Sequence, residues 1–131
     1  MNKATAHSVE AFYTSHPMAR GSTMVTVEDG ETALWLHGSK IARRYEDSDL
    51  IEVTAAGHAT DTTRQRLRAV MSRIGAIVWQ ARGTWYWEGP ITGGSTRPFN
   101  TQRGAWTTVR QSTPLERLSK VLTQGETNGT D

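Results

Sequence analysis

The side chains with catalytic potential in this sequence are His37, His58 and Asp61. Nucleophilic catalysis needs a Ser or Thr hydroxyl, an imidazole and an acid brought together. His58 and Asp61 stand just ahead of a helical stretch, yet no G-x-S-x-G turn or comparable signal accompanies them. Helix capping accounts for Asp61 by itself, so no catalytic residue is assigned and the expectation is a protein that is not an enzyme. A metal site needs clustered His, Cys or carboxylate ligands. The four histidines are scattered and cysteine is absent, so no metal and no cofactor are expected. Gly93-Gly94-Ser95-Thr96 lacks the lysine and the helix of a phosphate loop, and no G-x-G-x-x-G occurs. No helix-turn-helix pattern is visible.

Binding chemistry is better represented. From Glu28 to Glu52 seven acids face three bases, whereas from Thr60 to Arg110 eight arginines face only Asp61 and Glu88. Arginine recognises phosphates and carboxylates in a bidentate way that lysine cannot match. The asymmetry suggests either a polyanionic partner or two halves that neutralise each other. The candidate partner- or nucleic-acid-binding set is Arg64, Arg66, Arg68, Arg73, Arg82, Arg97 and Arg103, with Tyr86 or an exposed tryptophan as a stacking ring.

The elements that would position this set are a helix and a hairpin. Leu67, Val70, Met71 and Ile74 recur at helical spacing and predict a helix over 62–74, the seed of the core. Thr60, Asp61 and Thr62 are competent N-caps, Thr62-x-x-Gln65 fits a capping box, and Gly75 suits a left-handed stop. On a helical wheel Arg64 and Arg68 flank the apolar stripe on one side, Arg66 and Arg73 on the other, and Gln65, Ala69 and Ser72 face away. Arginine stems along a core margin are ordinary packing, and this reading is preferred to phosphate binding. Residues 76–81 and 84–88 form the hairpin about Arg82-Gly83, with Trp85 and Trp87 on one face and Tyr86 on the other. Those tryptophans are read as core, since a chain that is 36% hydrophobic has few other large residues to bury.

The remaining chain supplies strands. Residues 23–27, 32–37, 40–45 and 50–54 alternate between turns and make a four-strand meander. Residues 89–104 read as a flexible surface loop and 105–110 as a last strand. Thr113-Pro114-Leu115-Glu116 opens a C-terminal helix over about 114–123. The expected fold is α+β: a small twisted, mostly antiparallel sheet with the 62–74 helix packed on it. The expected organisation is a flexible N-terminal arm over 1–20, one domain over 21–123 and a disordered tail over 124–131. The absence of cysteine, of a signal-peptide core and of any membrane-length apolar run leads to the expectation of a cytoplasmic protein.

Leu36-His37-Gly38-x-x-Ile41-Ala42, Thr62-Thr63-Arg64-x-Arg66-Leu67, Val78-x-Gln80 and Trp85-Tyr86, in that order, resemble a group of small proteins from tailed bacteriophages and related mobile elements. The resemblance covers about residues 24–88. The group often has asparagine where this chain has Ser39, and a Gly-Trp pair where it has Gly57-His58. The resemblance implies a phage setting, hence host-cell cytoplasm, and no mechanism. Two function classes follow. One is a protein that binds a host protein or nucleoprotein complex, such as an inhibitor of a host defence, docking through the acidic 46–52 segment or the arginine-rich half. The other is a nucleic-acid-binding module built on the arginines. The first is preferred because a net charge of +2 is small for a phosphate binder. A virion structural or assembly part, self-associating through the arm or the C-terminal helix, is a further alternative.

Overall fold

Three X-Gly pairs set the tight turns of this chain. Asp29-Gly30, His37-Gly38 and Arg82-Gly83 have φ values of 50° and 79°, 51° and 80°, and 52° and 80°. Two successive positive φ angles make the type I′ turn, whose twist matches that of the strands it joins. The structure is a computed structural model that describes residues 3–110. In chain order it runs α1 (Lys3–Thr14), β1 (Met18–Arg20), β2 (Thr23–Glu28), β3 (Glu31–Leu36), β4 (Ser39–Tyr45), β5 (Leu50–Val53) and α2 (Asp61–Ser72). It continues through β6 (Ile77–Ala81), β7 (Thr84–Glu88), a 3-10 turn at Pro90–Thr92, β8 (Arg97–Pro98) and β9 (Thr107–Arg110). The helix expected at 114–123 and the tail at 124–131 lie outside the described residues.

The architecture is mixed α and β with antiparallel pairing, and the meander and the hairpin form where alternation placed them. The expectation of one sheet is corrected, because the hairpin belongs to a second one. The strand orders are β1-β2-β3-β4-β5-β9 and β6-β7-β8. β9 returns from the far end of the chain to pair with β5, Val53 opposite Thr107 and Leu50 opposite Arg110. β1 and β8, of three and two residues, are too short to carry a readable period. One is an edge of each sheet.

The core lies between these layers. Leu34, Leu36, Ile41, Ile51, Val53 and Val109 come from the larger sheet, and Val78, Trp85 and Trp87 from the smaller. Leu67, Val70 and Met71 of α2, and Ile74 in the turn that follows it, are all buried in the same core. Each such side chain contributes about 1.5–3 kcal/mol. Trp85 and Trp87 are 2% and 6% exposed, so neither is a stacking platform. Thr60 is the cap that α2 uses, accepting from the Thr63 amide at 3.2 Å, and the Thr62–Gln65 box is not formed. At its other end Ala76 N donates to Met71 O and Gly75 N to Ser72 O, with Gly75 at φ 77°. This Schellman closure satisfies carbonyls that a helix end leaves without partners.

The N-terminal segment requires the largest correction. Instead of a flexible arm, residues 3–14 form a three-turn helix whose Val9, Ala11 and Phe12 enter the core, Phe12 at 0% exposure. Ser8 sits inside that helix and donates to Thr5 O at 2.9 Å. α1 also changes the wheel of α2. Arg66, expected on the core margin, is 7% exposed with Nη1 3.4 Å from Ser8 Oγ, and Ala69, expected to face away, is buried, while Gln65 and Ser72 stay exposed. A short helix gains its stability from packing, not from propensity, which is why its sequence signal is weak.

Tyr13 ties the two helices together by donating its hydroxyl to Val70 O at 2.5 Å. Burial pushes its phenol well above the ordinary tyrosine value, against the opposing pull of Arg73 and Arg44. A raised folded pKa means the folded state keeps a proton that the unfolded chain has released. Stability from this residue is therefore complete below the ordinary value of about 10 and falls as pH rises above it. Urea midpoints measured from pH 8 to 11 are expected to decline at the alkaline end, and Tyr13→Phe to flatten that decline while lowering the neutral-pH midpoint.

Candidate functional site

The seven arginines proposed for binding do not form one track. Arg66 is buried against α1, where burial alone holds its pKa below the usual arginine value. Arg73 pairs with Glu10 and lies 5.3 Å from the Tyr13 ring, so it too is engaged with α1. Arg64 turns the other way. It pairs with Asp61 at 2.9 Å, donates to Gln80 Oε1 and sits 5.8 Å from the Trp85 ring. Arg68, Arg82, Arg97 and Arg103 are exposed and, among the described residues, make no ion pair. Tyr86 is half-buried and stacks on Trp79 across the hairpin, centroids 6.0 Å apart. The structure thus brings Arg64, Arg68 and Arg82 to the α2–hairpin side and separates Arg66, Arg73 and Arg103 from them.

Aromatic residues that this reasoning passed over occupy the other face of the larger sheet. Along β3, Leu34 and Leu36 point inward, so period two sends Glu31 and Trp35 outward. Trp35 Nε1 donates to Thr26 Oγ1 on β2 at 2.9 Å, and Lys40 Nζ on β4 lies 5.2 Å from its ring. The Lys40 ammonium also binds Glu31 at 2.8 Å, and Tyr45 OH donates to the same carboxylate at 3.0 Å. That contact with lysine holds the Glu31 pKa below the usual carboxylate range. Further across, Arg43 binds Glu52 at 3.0 Å and lays its guanidinium 3.9 Å over the Trp106 ring. The carboxylate of Glu52 raises the Arg43 pKa. Arg110 Nε meets Asp49 at 3.2 Å. Solvent-facing pairs of this kind are each worth about 0–1 kcal/mol, so their main effect is to fix the rings in place. Met24, Tyr45 and Leu50 are about two-fifths exposed on the same face. Among the described elements, the helices pack on the opposite side.

The two ends of the sheet differ in charge. The β2–β3 and β4–β5 turns lie side by side, Glu46 N donating to Gly30 O at 2.9 Å, and gather Glu28, Asp29, Glu46 and Asp47. Of the acidic segment 46–52, Asp49 and Glu52 are engaged by arginines, which leaves Glu46 and Asp47 for this pole.

At the opposite end the His37-Gly38 turn, the 54–58 segment and the 103–106 segment enclose a cleft of about 610 Å³. Ser39 Oγ lies 3.4 Å from His58 Nε2 across its mouth. Ala55 O accepts from His58 N at 2.8 Å, closing a turn in which Ala56 and Gly57 have φ values of 53° and 80°. Gly57 N donates to Thr101 O at 3.0 Å, and a Cβ on Gly57 would lie 3.3 Å from that of Arg103. Glycine at position 57 therefore lets the two walls approach. Arg103 and Trp106 complete the lining, which contains no carboxylate. Among the described residues, no three His, Asp or Glu side chains gather as metal ligands, and no helix is long and apolar enough to cross a membrane.

Comparison with known proteins adds a setting. No curated protein and no solved structure matches this chain. The model of one family, described as Kyanoviridae Gp96 protein, matches residues 1–121. That span takes in α1 and the loop and strands after the hairpin, beyond the motifs at 36–42, 62–67 and 78–86. The chain belongs to the Kyanoviridae Gp96 protein family and is a phage protein.

Proposed function

We propose that this phage protein acts by binding rather than catalysis, and that its partner is a host protein or nucleoprotein complex docked on the outer face of the larger sheet. The observation that carries this reading is the set of Trp35, Tyr45 and Trp106, held by hydrogen bonds and cation–π contacts on a face with no helix over it among the described elements. Interfaces favour such aromatic and arginine anchors, pre-ordered and rimmed by polar groups. The cations of the face are matched by carboxylates within the chain, so a partner surface meets rings and paired charges instead of a bare positive field. In the host cytoplasm such a protein would work by occlusion, the mode of a counter-defence inhibitor.

A second reading rests on one observation. Arg64, Arg68 and Arg82 lie on the α2–hairpin side, and Arg68 and Arg82 make no ion pair among the described residues. Phosphate contacts there would make binding fall steeply with salt. The two readings separate in one experiment. Tagged protein is recovered from infected or expressing host cells with and without nuclease, and labelled oligonucleotides are titrated across a salt series. Partner recovery that survives nuclease, is lost in Trp35→Ala/Tyr45→Ala and persists in Arg64→Glu/Arg68→Glu supports docking on the sheet face. Oligonucleotide binding with a steep salt slope, lost in the arginine variant alone, replaces it with the second reading.

A further inference from the structure

The cleft at the end of the larger sheet shares Lys40 and Trp106 with the outer face but is lined otherwise by residues of neither surface, and its chemistry is specific enough to name a ligand. We propose that it is a nucleotide site, with the phosphate held by Arg103, His58 and Ser39 and the base against Trp106. A volume of about 610 Å³ falls within the range of small-molecule pockets. The Lys40 ammonium, although its residue lines the cleft, is engaged by Glu31 and Trp35. Arg103 is different: it is exposed, makes no ion pair among the described residues and stands where no carboxylate competes for it. A guanidinium in that position can take two phosphate oxygens at once. The Ser39 hydroxyl and the His58 imidazole, 3.4 Å apart, supply further donors from the opposite wall.

The ring of Trp106 has two faces, and Arg43 covers one of them. The Arg43–Glu52 pair thus fixes the indole as a wall while leaving it the capacity to stack with a second planar group. Stacking of a base on an aromatic side chain contributes to binding without regard to base identity. The turn that presents His58 is strained, because Ala56 carries a Cβ at φ 53°.

The test is calorimetric titration of the full chain with nucleoside 5′-monophosphates, the corresponding nucleosides and inorganic phosphate at low salt. Monophosphates are expected to bind more tightly than either half alone. Arg103→Ala is expected to weaken monophosphate binding about tenfold or more, the loss of a charge-assisted pair, with little effect on the nucleoside. Trp106→Ala is expected to weaken both the nucleoside and the monophosphate while sparing inorganic phosphate. Circular dichroism and urea midpoints establish that both variants fold, as their partly or fully exposed positions imply. Absence of monophosphate binding at millimolar concentration overturns the assignment. So does binding that neither substitution changes, or binding confined to oligonucleotides and lost in Arg64→Glu/Arg68→Glu.

Discussion

Replacing Phe12 with alanine is expected to lower the stability of the protein by about 3–5 kcal/mol, enough to unfold a marginal domain at room temperature. Phe12 is fully buried, packs edge-on against Tyr13 with centroids 5.3 Å apart and lies under the Arg44 guanidinium. Its removal leaves a cavity between α1 and the larger sheet that neighbouring side chains cannot fill, since both layers are tied elsewhere. Urea unfolding followed by tryptophan fluorescence gives the measurement. A midpoint shift of less than about 1 kcal/mol equivalent would mean that α1 is only loosely docked. Phe12→Leu, which keeps most of the volume, should recover much of the loss.

The second large effect is expected at Arg44. Its Nε donates to Phe12 O at 2.7 Å, and its Nη2 donates to Tyr13 O at 2.9 Å and Ser15 Oγ at 2.6 Å. Those carbonyls belong to the last turn of α1, where helical partners run out and the helix dipole is negative. One guanidinium therefore closes the helix and pins it to β4. Its burial lowers the Arg44 pKa, yet arginine stays charged at any ordinary pH. Hydrogen bonds from a charged donor are worth about 1.5–3 kcal/mol each, so Arg44→Ala should cost on the order of 2–4 kcal/mol after relaxation and water entry. Arg44→Lys should restore only a part, because an ammonium cannot span three acceptors from one plane. By contrast Lys40→Ala, which breaks an exposed pair, should shift the midpoint by less than about 1 kcal/mol. If Arg44→Ala and Lys40→Ala prove equal, the helix is closed by something other than this side chain.

These two residues also mark the limit of what the amino-acid order conveys. α2 and the hairpin were legible because their signals are local: four apolar residues at helical spacing, a glycine stop and an Arg-Gly turn. α1 has the same kind of stripe in Val9, Phe12 and Tyr13, but one stripe of three residues does not separate a helix from a passing turn. Its partner Arg44 lies about thirty residues away, and nothing local announces their meeting. The wheel of α2 failed at Arg66 and Ala69 for a related reason. A wheel assumes one apolar partner, whereas α2 packs against α1 as well as the sheets. Trp35 was recoverable, since alternation opposite Leu34 and Leu36 already placed it outside. The cleft was not, because Ser39, His58, Arg103 and Trp106 are joined only by the fold. Its sole local trace is in glycines 38, 57 and 104, each at φ near 80°.

The polarity of the larger sheet has a kinetic consequence. In an antiparallel meander alternate turns fall at opposite ends, so Glu28, Asp29, Glu46 and Asp47 are collected at one end while Arg103 stands at the other. With a net charge of only +2, the chain is drawn to a charged target less by its total charge than by its orientation in the target's field. It behaves as an electric dipole directed along the strands of the sheet, rotated into register before contact. Encounter rates should then fall with ionic strength as the Debye length shrinks below the separation of the poles, about 8 Å at physiological salt, while dissociation rates change little.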